Sequence, residues 1–322
     1  MNYRQIVAEA WQFTQDNKKI VFWYGAIPAF FTTLIGIAYI IYQYYAFVSS
    51  KLFQNWHQSF LSLVFNNVLE FLRNHRGLII PLIVVAIILA ICYFFVPVIC
   101  QGGLIQLIAR RRNGQQVSGR KGVTFGLLSF LPLFEYKLFV QTFSLVSIFA
   151  IVATSMRNLG WTILGWIVPI FIVVLIAALI MAVFLTYTEF FIVIDGEGVF
   201  TSITKSANLV VKHLEETLLL TILMLIIGVR IIIQILFVML IPVVAIGIVY
   251  LLTIYNLPNL GLAVGGIMGL IGVMVAAYLN GIIHTFAVAV WTFTFLNLTS
   301  EIEPHARDKT EDQPEKNDSG EQ

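Results

Sequence analysis

The chain has 322 residues, of which 59% are hydrophobic and 11% charged, and its mean hydropathy is +0.90. Soluble domains carry about 25% charged residues, so this composition excludes a globule covered by water and points to lipid as the solvent. A net charge of +2 gives no footprint for nucleic acid, and two cysteines, Cys92 and Cys100, on one apolar stretch read as small hydrophobes rather than a disulfide framework or a zinc site.

Residues 1–19 are polar and mixed in charge, and the apolar run after them is too long for a secretory signal. The first span is therefore expected to stay as an anchor. Runs free of Asp, Glu, Lys and Arg then mark the spans, since a helix crosses the hydrocarbon core with about 20 apolar residues. They are expected near 20–44, 78–100, 138–156, 161–187, 216–241 and 270–298. Between the last two, Pro242 and the turn-forming Tyr255-Asn256-Leu257-Pro258-Asn259-Leu260-Gly261 predict a kinked fifth helix, a loop and a long sixth helix. Glycines 261, 265, 266, 269 and 272 at its start favour close helix contact. Extra spans at 243–257 and 262–280 are the alternative.

Lys and Arg set the orientation. With six spans and the N-terminus inside, inner segments carry Arg4, Lys18, Lys19, Arg110, Arg111, Arg112, Arg120, Lys121, Lys137, Lys205, Lys212, Arg307, Lys309 and Lys316. Outer segments carry only Lys51, Arg73, Arg76 and Arg157. The chain is thus expected to be a multi-pass protein of the cell membrane, a bacterial inner membrane, with both termini in the cytoplasm. Residues 1–299 form the membrane domain. Residues 300–322, rich in acidic side chains and nearly free of apolar ones, read as a disordered acidic tail. Asn297-Leu298-Thr299 matches a glycosylation acceptor but sits at the inner edge, so it reads as chance.

Three segments share one plan, a mixed helical stretch running into a span: 6–19, 122–137 and 198–213. The fold class expected is all-α, a polytopic bundle of about six spans arranged as three hairpins with short interfacial helices. Such helices lie in the headgroup region with basic residues toward anionic lipid.

The third of these segments is the most distinctive. From Phe190 to Lys212 it combines the turn Asp195-Gly196-Glu197-Gly198 with Lys205-Ser206 and Lys212. Gln101-Gly102-Gly103-Leu104 followed by Arg110-Arg111-Arg112-Asn113-Gly114 is a second shared feature. Together they resemble the membrane domain of glycerophosphoryl diester phosphodiesterases and related bacterial six-helix membrane proteins, where the second feature is the loop after the second span. The family's closing aromatic pair followed by Asp-Leu-Arg is replaced here by Thr294-Phe295-Leu296-Asn297-Leu298. The resemblance implies a six-helix membrane module. It carries no activity across, because the family's chemistry resides in a separate soluble barrel for which this chain has no room.

Arg230 lies about 20 Å inside the fifth span at 1.5 Å per residue, where an arginine costs about 2.5–3.5 kcal/mol on insertion scales. Gln234 is one turn on, and Asn280 and His284 are spaced by four in the sixth span. These four are the candidate polar cluster, read either as an anion or headgroup site or as interhelical glue. Glu189, Asp195 and Glu197 form an acidic group that reads more simply as a turn and a helix cap. Arg110, Arg111 and Arg112 are candidates for lipid headgroups, although basic inner loops mainly set topology. No nucleophile–base pair, metal spacing or phosphate loop is visible, so neither catalysis nor a cofactor is expected. The expected partners are the bilayer, with anionic lipids or a membrane protein as candidates, and not nucleic acid. The function expected is organisation, sensing or regulation in the membrane. A transporter or flippase-like carrier of a small amphiphile is the alternative.

Overall fold

A computed structural model describes residues 3–48, 73, 76–142, 147, 150–155, 164–238 and 258–311. All regular elements among them are helical, the longer ones being α1 Tyr3–Asp16, α2 Ile27–Val48, α3 Ile79–Arg112, α4 Lys121–Leu128, α5 Phe130–Thr142, α6 Leu164–Phe184, α7 Thr188–Ile194, α8 Val199–Lys212, α9 Leu214–Val238 and α10 Pro258–Glu311. Four segments are long and apolar enough to cross a membrane: Lys18–Tyr39, Ile79–Arg112, Val168–Ile194 and Val264–Ser300. The pair α4 and α5, bent by 64°, makes up to five.

Several boundaries differ from the sequence expectation. The expected loop after the second span is helix, because α3 runs unbroken through Gln101-Gly102-Gly103-Leu104 to Arg112. The reason is packing. Leu104, Ile105, Leu107 and Ile108 are fully buried, so this stretch gains more by staying helical inside the protein than by unwinding into water. The separate span proposed over 262–280 is not a separate helix, since α10 continues through it to Glu311. The alternative span at 243–257, Pro242 and residues 312–322 lie outside the described residues, as does part of the expected third span.

The first and third lead-in segments correspond to single helices, α1 and α8, whereas the second, 122–137, is split at Ser129 between α4 and α5. α1 stops at Asn17, whose side-chain amide donates to Phe13 O at 2.8 Å. α4 stops at Ser129, whose hydroxyl donates to Phe125 O at 3.1 Å. α8 stops at His213, with φ −124° and ψ 46°. In each case a polar side chain or a non-helical residue ends the run and lets the chain change direction.

The buried core lies at one end of the bundle, around the second half of α3, α7, α8 and the stretch of α10 from Phe286 to Leu298. The opposite end is apolar and open. Ile80, Ile83, Val85 and Ile88 on α3 and Ile170 and Val173 on α6 are all at least half exposed. Lipid is as apolar as these side chains, so nothing drives them inward.

Where helices do approach closely, glycine allows it. A Cβ on Gly126 of α4 would sit 2.0 Å from Ile99 O, and one on Gly103 of α3 would sit 2.3 Å from Gly122 O. Gly25, in the π-helical turn Val21–Ala26 that precedes α2, meets Gly281 of α10, where a Cβ on Gly25 would lie 2.5 Å from Gly281 O. The expectation for the start of α10 differs from this. Gly266 and Gly269 have open space around them, and the close contact falls at Gly281.

Candidate polar network and cleft

Among the described residues, the polar side chains that meet inside the spans come from four helices. Gln101 of α3 is 7% exposed and about 16 Å along that helix from Arg112, at 1.5 Å per residue. Its amide nitrogen donates to Glu189 Oε2 at 2.8 Å. The other Glu189 oxygen accepts from Lys137 Nζ of α5 at 2.9 Å. On the far side, His284 Nε2 of α10 lies 2.7 Å from Gln101 Oε1.

The donors and acceptors fix one another. A carboxylate only accepts, so Gln101 turns its NH2 toward Glu189 and its carbonyl toward His284. That carbonyl only accepts, so His284 carries its proton on Nε2 and donates. The result is a chain Lys137–Glu189–Gln101–His284 in which the buried amide is satisfied from both sides and the carboxylate is paired. Charged groups placed in spans survive through such pairing.

A cleft of ≈ 410 Å³ opens beside the middle of this chain, lined by Gln101 and Glu189 but not by Lys137 or His284. Its floor includes Gln101, Glu189 and Tyr136, and its walls include Ala178, Ala182 and Trp291. Leu179 lines it too and is 52% exposed, so the cleft opens sideways on the lipid-facing side of α6. A concave apolar space with a few convergent polar groups has the general form of a small-molecule site, and the volume falls in the range of about 300–1,000 Å³ typical of one. Tyr136 is held in place by donating its hydroxyl to Leu185 O at 3.1 Å.

Glu189 owes its position to a broken helix. The segment Val168–Ile194 is interrupted at Leu185–Tyr187, between α6 and α7. Ser206 of α8, fully buried, serves both backbone groups freed there. Its hydroxyl donates to Phe184 O at 2.7 Å and accepts from Tyr187 N at 3.1 Å. Breaks at membrane depth persist where the protein satisfies the freed groups in this way.

The sequence candidates are distributed as follows. His284 joins the network, but through Gln101. Asn280 lies one turn earlier on the same face of α10, and both residues are exposed. Arg230 and Gln234 belong to α9, and their side chains lie outside the described residues. Asp195 to Gly198 is the expected turn, with Gly196 at φ 71° and Gly198 in extended conformation before α8. Glu197 pairs with Lys205.

The three arginines all have protein partners. The Arg110 guanidinium lies 4.4 Å from the Phe125 ring centre, and its Nε donates to Gln106 at 3.1 Å. Arg111 donates to Asn17 Oδ1 and to Val117 O. Arg112 donates to Phe293 O at 2.6 Å and Asn297 Oδ1 at 2.8 Å. The cluster therefore ties α1, α4 and α10 to the end of α3. Among the described residues, no group of His, Cys, Asp and Glu is arranged to hold a metal ion.

Sequence reasoning missed Gln101 and Lys137 as site residues and weighed Glu189 only as part of an acidic group. One signal was present. Lys137 and Glu189 are opposite charges at the ends of two consecutive apolar runs, the arrangement that lets two neighbouring helices pair them. No family model, curated protein or solved structure matches this chain.

Proposed function

We propose that this is a non-catalytic multi-pass membrane protein that binds a membrane amphiphile in the cleft above Gln101 and Glu189, and that organisation, sensing or regulation in the membrane follows from that binding. The observation that carries this reading is the joining of ≈ 410 Å³ of largely apolar space to a polar floor of Gln101 and Glu189. A chain and a head group are accommodated together by such a space, whereas a purely structural polar contact needs no cleft.

The topology that accompanies this reading is six spans in three hairpins, with both termini on the cytoplasmic side of a bacterial inner membrane. It is supported by the excess of Lys and Arg on the segments read as inner and by the three short helices α1, α4 and α8 ahead of longer elements. It is also supported by the contacts of α3 with α10. Gln101 meets His284 and Arg112 meets Asn297, so the two helices run in the same direction, as second and sixth spans do. The likeness of residues 190–212 to the phosphodiesterase membrane domain agrees with a helical membrane module.

The test is lipid retention. Protein extracted in mild detergent is compared with Ala182→Trp, which fills the cleft, by native mass spectrometry. The wild type is expected to keep a lipid-sized adduct that Ala182→Trp loses while remaining folded. Equal retention by both contradicts the reading.

A further inference from the structure

We infer that the cleft selects a zwitterionic lipid whose head group carries a primary ammonium and a phosphate, as phosphatidylethanolamine does. This rests on the amphiphile reading above and names the class of ligand. Three observations carry it. First, the site already holds an alkylammonium: Lys137 Nζ sits 2.9 Å from Glu189 Oε1. The carboxylate is thus shaped to accept from an –NH3+ group, which offers three donors. Second, Glu189 shares the cleft lining with Tyr136 and Trp291, and aromatic faces attract a desolvated cation.

Third, the charges of the site balance. Lys137 and Glu189 cancel, so a ligand of net charge would leave an uncompensated charge inside the span, whereas a zwitterion would not. The pair can open to receive one, because the Lys137 side chain is 37% exposed and that of Glu189 20%. The ligand ammonium then takes the place of Lys137 on Glu189, and the freed Lys137 meets the phosphate. A quaternary ammonium has no N–H to give Glu189 and is the poorer fit. The acyl chains lie along the exposed apolar side of α6 near Leu179.

The full chain is reconstituted in nanodiscs containing equal parts of phosphatidylethanolamine, phosphatidylcholine and phosphatidylglycerol with matched chains. It is then released into mild detergent, and the adducts are read by native mass spectrometry. The ethanolamine lipid is expected to be retained about tenfold over each of the others, the ratio set by one good charge-assisted contact. The double variant Glu189→Gln/Lys137→Met, which leaves no unpaired charge to unfold the protein, is expected to retain lipid without this preference. Trp291→Leu is expected to weaken it. Preferential retention of phosphatidylglycerol or phosphatidylcholine, or retention without preference, overturns the head-group assignment while leaving the amphiphile reading intact. Retention of no lipid at all overturns both.

Discussion

Gln101 and His284 are 183 residues apart in sequence, and their side chains meet at 2.7 Å. Eleven residues further along α3, Arg112 reaches Phe293 and Asn297 of the same partner helix. Two polar contacts thus hold α3 and α10 in register over three turns, with the buried Leu104, Ile105 and Ile108 between them. The first contact also fixes the amide that presents to Glu189, so packing and the site share one side chain.

Gln101→Leu is expected to destabilise the protein. It removes a hydrogen bond to a carboxylate and another to His284, and bonds to charged groups contribute about 1.5–3 kcal/mol each. His284→Leu removes only one and is expected to cost less. Thermal unfolding of the two variants in the same detergent measures this order. The reverse order contradicts the assigned pattern of donors.

The Lys137–Glu189 pair is expected to show strong coupling. Glu189→Gln leaves Lys137 uncompensated and is expected to cost about 3 kcal/mol, the low end for breaking a buried pair because Lys137 is partly exposed. Removing both charges with Glu189→Gln/Lys137→Met is expected to cost less than Glu189→Gln alone. A double-mutant cycle on unfolding free energies measures the coupling. Additive single effects would place the two groups out of contact.

Ser206→Ala is expected to leave Phe184 O and Tyr187 N without a partner at the break between α6 and α7. A buried group left unsatisfied costs about 1–3 kcal/mol. Hydrogen exchange at Tyr187 is the direct readout and is expected to rise selectively. The hydroxyl of Ser202, also buried on α8, has no hydrogen-bond partner among the described residues. Ser202→Ala is therefore the matched control, with little effect expected.

Gly126→Leu is expected to abolish folded protein, because even a Cβ there would sit 2.0 Å from Ile99 O of the facing backbone. Gly36→Ala in α2 has open space within 4 Å and gains about 1 kcal/mol of helix propensity. Size-exclusion profiles of the two variants check the contrast. Similar profiles would place α4 away from α3.

The membrane class, the helical content and the helices at the first and third lead-in segments were legible in the sequence, because charge-free runs and mixed stretches such as 198–213 report directly on solvent and helix ends, whereas the break at Ser129 within 122–137 was not. The polar partners were not. His284 stood out as an ionisable residue in an apolar run, but its proximity to Gln101 is a tertiary fact carried by no local pattern. Gln101 was hidden a second way, since Gly102 and Gly103 read as loop formers. In the folded chain they are the small residues that let α4 sit against α3. Asp195 to Gly198 was read correctly as a turn because glycine at positive φ is a local requirement. Glu189, a few residues away, obeys no such rule, and its role depends on the distant Lys137.

The most direct test of the central claim is an electron cryomicroscopy map of the full chain in native-lipid nanodiscs. The account predicts an elongated density in the cleft between α6 and α10, with its head within hydrogen-bonding distance of Glu189. A map in which Trp291 and Ala182 close on each other, with no space above Glu189, would contradict it.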